Sequence, residues 1–161
     1  MSKQNNSETK RFEYDVIEII EGLKAMDYTN PMFGMQVANA ISTNESALDA
    51  FPRAFKGFRK IWKGKKPLEI EKDIRKATAE AKNLTKRKEI KAILCPALKS
   101  VGTDAIEIAK VTIPLLVGAS ISGTIVFNLD PLLYAVLVLV IARTGIASIC
   151  TEYDKNEKNK F

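Results

Sequence analysis

Apolar residues recur at helical spacing through the first half of the chain, then fuse into two nearly uncharged blocks. Phe12, Val16, Ile19, Ile20, Leu23 and Met26 share one helical face, with Glu13, Asp15, Glu18 and Glu21 between them. The spacing predicts an amphipathic helix that stops before Asp27-Tyr28-Thr29-Asn30-Pro31. A shorter helix is expected over 35–41, and Ser42 with Glu45 has the capping-box spacing that opens another. Phe51, Phe55, Phe58 and Trp62 fall within an arc of roughly 60° at 100° per residue. After Pro67 a helix is predicted from Leu68 to about Leu94, with Ile70, Ile74, Ala77, Ala81 and Leu84 as a narrow stripe. Glu71–Arg75 and Asp73–Lys76 have ion-pair spacing on it, and Cys95-Pro96 is its expected end. The predicted fold class is all-α.

The last third sets the larger expectation. Thr103-Asp104 is an N-cap pair, and Val111 to Phe127 carries no charge. Asn128-Leu129-Asp130-Pro131 is turn chemistry, and Leu132 to Cys150 holds one charge, Arg143. At 1.5 Å per residue the two blocks run about 25 and 28 Å, against a hydrocarbon core of roughly 30 Å. They read as a transmembrane helical hairpin over 105–150. Lys91, Lys99 and Lys110 precede it and Lys155, Lys158 and Lys160 follow, so both termini are expected to be cytoplasmic. Gly118, Ser122, Gly123 and Gly145 mark its close-packing or oligomerisation faces. Ser120, Thr124 and Arg143 are its intramembrane polar groups, with Arg143 expected near the level of residue 116. Pro114 is expected to kink the first span. The alternative is a soluble bundle that buries the hairpin, as colicin pore-forming domains do before insertion.

Charge is distributed unevenly. Residues 1–50 hold four Lys/Arg against eight Asp/Glu, whereas residues 51–100 hold sixteen against five. On 51–63, Arg53, Lys56, Arg59, Lys60 and Lys63 oppose the aromatic face with no acidic residue among them. Such a helix suits an anionic membrane surface, with Trp62 on the apolar side and the cations at the headgroups. The competing reading places the aromatic stripe in a bundle core. No nucleic-acid reader motif accompanies the charge.

Four regions follow: a flexible tail, 1–10, without the apolar run of a signal peptide; a basic helical region, 11–104; the hairpin, 105–150; and a polar tail, 151–161. The chain has no histidine and two cysteines, which do not suggest a disulfide framework. His-based catalysis and His-ligated metal are excluded, and neither an enzyme, a metal nor a cofactor is expected. Anionic lipid headgroups, a second copy of the chain and a protein partner are the expected contacts.

No motif assigns a family. A bilobed hydrophobic hairpin with soluble flanks is similar to inclusion-membrane proteins of intracellular bacteria. A small cationic chain with two close spans resembles phage holins and the membrane effectors of anti-phage systems. These likenesses cover only the last third. They imply a non-enzymatic membrane anchor for a partner-binding region or, alternatively, an oligomeric membrane-permeabilising effector.

Overall fold

A computed structural model describes the backbone of residues 2–43, 52–125 and 130–151, and the side chains of 8–41, 56–125 and 130–151. The expected capping box at Ser42 and Glu45 lies outside the described residues. The rest is all-α, with no strand among the described residues. Helix α1 is Ser2–Ala25, α2 Phe33–Thr43, α3 Pro52–Trp62 and α4 Pro67–Leu84. Then come α5 Lys88–Leu98, α6 Ala105–Ile121 and α7 Pro131–Thr144, with residues 146–151 helical again.

Local chemistry explains most boundaries. Asp104 and Asp130 cap α6 and α7, accepting from the backbone N–H of Ile106 at 2.8 Å and of Leu132 at 3.0 Å. Asp27 accepts from Thr29 N–H at 3.0 Å, and Asn30 Oδ1 from Met32 N–H at 2.9 Å, which makes the predicted break a pair of side-chain-closed turns. The predicted helix 68–94 divides at Thr85–Arg87 instead of ending at Cys95-Pro96. The Thr85 hydroxyl donates to Lys82 O at 2.8 Å, and Arg87 pairs with Glu89 at 2.6 Å. Pro96 is accommodated inside α5.

The core runs through the whole bundle. Helix α7 is its axis: every residue from Leu132 to Ile141 is buried, and α4, α1 and α6 pack around it. A helix apolar on all sides needs partners on all sides. The stripe on α4 and the apolar face of α1 supply two of them. Tyr134, fully buried, meets Phe12 edge-to-face with ring centroids 4.9 Å apart. Burial pushes its hydroxyl well above the usual phenol range.

This arrangement overturns the transmembrane hairpin and, with it, the integral-membrane localisation, the anchoring role and the orientation of the termini. No helix among the described residues is long and apolar enough to cross a membrane. Helix α7 has 14 residues, about 21 Å. Gly145, at φ 94°, stops it five residues before Cys150, and Gly123, at φ 80°, follows the end of α6. Helix α6 also starts earlier than the uncharged block and includes Glu107 and Lys110. The chain is a helical bundle enclosing an apolar helix, the last of the three readings of its sequence. Pore formation loses its spans too. The other helices can enclose α7 because it is only about four turns long.

Candidate functional site

Two features stand out: a cationic corner where α3 meets α4, and a cleft beside Tyr28. The described part of the α3 aromatic face, Phe58 and Trp62, is core. Phe58 and Trp62 lie in contact, with ring centroids 5.2 Å apart, and Phe33 from α2 meets both edge-on. Trp62 is therefore enclosed and does not face outward. Its indole N–H donates to Asp73 Oδ2 at 3.0 Å, and Lys65 reaches the same oxygen at 3.0 Å. That interaction takes Asp73 from its predicted partner Lys76, and Glu71–Arg75 does not close as an ion pair either.

With Phe58 and Trp62 in the core, the exposed residues of α3 among those described are cations. Lys56, Arg59, Lys60 and Lys63 are exposed; the side chain of Arg53 lies outside the described residues. Lys60 is held by Asp15 at 3.0 Å and by Glu18 at 3.8 Å. Glu18 is itself only 3% exposed, and the hydrogen bond to Asp15 is the main cause of the raised Lys60 pKa. Lys56, Arg59, Lys63 and Lys66 have no ion-pair partner among the described residues. Gly64, at φ 79°, turns the chain into α4, whose second residue, Leu68, is 72% exposed. Gly34 of α2 closely approaches Pro67, since a Cβ there would come within 2.6 Å of the Pro67 carbonyl oxygen, and the next residue, Met35, is half-exposed.

The second feature is a cleft of about 570 Å³ between the 28–33 segment and three turns of α4. Tyr28, Phe33 and Ile74 give it apolar walls, and Arg75 and Lys82 give it charge, with Glu71 at the other end of the α4 wall. Tyr28 also borders a neighbouring cleft of about 390 Å³, lined by Asp27, Asp104 and Arg143 among others. The Arg143 guanidinium lies 5.0 Å from the Tyr28 ring centroid, a cation–π contact. Tyr28 has a raised pKa through burial, while Asp27 has a lowered one, chiefly through the hydrogen bond from the Thr29 hydroxyl.

Arg143 thus sits in the last turn of α7, exposed, beside Thr103–Ala105 and not near residue 116. The connection after Ile121 takes up part of the chain and shifts α7 along α6. A cation also suits that end of the helix dipole. Among the described residues, a Cβ at Gly118, Gly123 or Gly145 would meet nothing within 4 Å. Ser122 and Thr124 are exposed and share a 2.8 Å hydroxyl contact; Ser120 is half-buried. These residues do not converge with Arg143. Pro114 and Leu115 are exposed on the outer side of α6.

Cys95 and Cys150 form a disulfide, with Cα atoms 5.7 Å apart, buried on both sides. It ties α5 to the helical segment after Gly145. Sequence reasoning missed it because the two residues are 55 positions apart and nothing local pairs them. The cleft was missed for the same reason: its walls are about 45 residues apart in sequence, and the Glu71–Arg75 spacing pointed to an engaged guanidinium instead of a free one.

Among the described residues no group of His, Cys, Asp or Glu could hold a metal ion. No protein-family model, curated protein or solved structure matches the chain.

Proposed function

We propose that the protein is a non-catalytic binding module that docks peripherally on an anionic bilayer surface through the α3–α4 corner. One observation carries this reading: Leu68 stands 72% exposed within five residues of the exposed Lys63, Lys65 and Lys66. An apolar tip in a cationic rim combines shallow burial with attraction to headgroups, each nearby cation contributing about 1 kcal/mol. Nucleic acid would use the charge but has no use for the exposed Leu68. The absence of histidine and the spread of carboxylates over separate helix faces support a binding role over catalysis.

Sedimentation of the full chain with phosphatidylcholine vesicles, with and without phosphatidylserine, tests the reading. Binding should require phosphatidylserine and fade as salt rises. Changing Lys56, Arg59, Lys63 and Lys66 to Gln should weaken it by about 1 kcal/mol per charge, or about fivefold each. Leu68→Ser should weaken it without changing the melting temperature. Equal binding to both vesicles, binding to neither, or a preference for duplex oligonucleotide defeats it.

A further inference from the structure

The Tyr28 cleft has the makings of a ligand site separate from the bilayer contact. Its volume of about 570 Å³ lies in the range of small-molecule pockets. Its α4 wall, from Glu71 to Lys82, extends roughly 16 Å. The polarity along that wall is graded. Glu71 stands at one end; Arg75 and Lys82 occupy the other two-thirds, in a cleft whose apolar lining includes Ile74 on the same wall and Phe33 and Tyr28 across from it. Both cations are exposed and have no ion-pair partner among the described residues. Asn30 adds a neutral donor: its Oδ1 is occupied by Met32 N–H, which leaves the amide NH₂ for a ligand. The Thr78 hydroxyl is already committed to Ile74 O at 2.7 Å.

We infer that this cleft binds an amphipathic organic anion, a carboxylate or phosphate monoester whose aryl or short alkyl body lies on Phe33, Ile74 and Tyr28. Its charged head sits between Arg75 and Lys82, away from Glu71. Arg143 is a positioning residue for this site. It contacts the ring of Tyr28 from the neighbouring cleft and steadies that wall without reaching the ligand.

The probe is 1-anilinonaphthalene-8-sulfonate, an aryl anion that fluoresces when enclosed, titrated into the full chain without vesicles. Saturable binding at one site is expected. Arg75→Gln with Lys82→Gln should weaken it about tenfold or more, the scale of losing charge-assisted hydrogen bonds. Lys76→Gln with Lys86→Gln removes equal charge elsewhere and should leave it within about twofold, since those exposed charges act only through screened long-range attraction. Ala79→Leu fills the cleft without altering charge and should also abolish binding; Ala79 is exposed, so the fold survives. Arg143→Leu should weaken binding less than the double variant, and Arg143→Lys, which keeps a cation near the ring, should restore part of it. Competition by octyl phosphate in buffer identifies a free anion as the occupant. Competition only by vesicles bearing phosphatidic acid assigns the same cleft to a lipid headgroup. No saturable binding, or binding unchanged in both the Arg75/Lys82 and Ala79 variants, overturns the inference, whatever the vesicle experiment shows.

Discussion

Asp73 accepts from two donors at once, the Trp62 indole N–H and the Lys65 ammonium, and so joins the end of α3 to the middle of α4. Trp62 is 1% exposed. Removing its acceptor strands a buried donor, a larger loss than the net value of the hydrogen bond. Asp73→Ala should lower unfolding stability by about 1–3 kcal/mol in urea denaturation, and Asp73→Asn by less, because its amide oxygen still accepts. The Lys65 contact, half-exposed and screened, contributes little to that figure. Equal stability in wild type and Asp73→Ala would mean that the indole finds water. Periodicity made Trp62 a candidate for either lipid or core, and Asp73 was spaced for Lys76. The indole's acceptor came from another helix, beyond what spacing along one helix can reveal.

At the scale of elements, close crossings decide which glycines tolerate change. A Cβ on Gly34 would come within 2.6 Å of the Pro67 carbonyl oxygen, which is backbone and cannot rotate away. Gly34→Ala should therefore separate α2 from α4 and destabilise the fold by about 1–3 kcal/mol, the scale of overpacking. Gly118 is the converse: an added Cβ meets nothing within 4 Å, inside a helix. There Gly118→Ala should stabilise by about 0.5–1 kcal/mol through backbone entropy. Thermal melts of the two variants should move in opposite directions. A loss of stability in Gly118→Ala would place a neighbour, such as a second copy, against that face. The helix caps at Asp104 and the break at 27–31 were legible in the sequence because each is closed by a side chain two residues away. The division of the long basic helix at 85–87 was not, since Lys86 and Arg87 are ordinary helix formers and tertiary packing overrides their propensity.

For the whole molecule, the buried disulfide closes a loop of 55 residues that contains α6 and α7. The loop-entropy relation assigns such a closure about 4 kcal/mol. Cys95→Ala with Cys150→Ala should lower stability by about that amount and sharply reduce the melting temperature. In the wild type, thiol reagents should detect no free thiol before unfolding with reductant. Stability equal to wild type in the double variant would show that packing alone holds the segment after Gly145. Such a clasp persists in oxidising surroundings and would be lost in reducing ones.

Periodicity, caps and turn residues specify their structure within a few positions of themselves, and for that reason the helical class, the opening caps and the loop at 27–31 can be read directly from the chain. The fate of the apolar blocks could not be read that way. Lipid and a protein interior remove water from the same side chains, so a run such as Leu132–Ile141 satisfies either. The choice fell to α1 and α4, which surround α7, and to the left-handed glycine that ends it short of a bilayer's thickness. The disulfide, the Asp73 bridge and the Tyr28 cleft belong to the same class of facts. Each joins residues from different elements, and such pairings arise only when the helices pack.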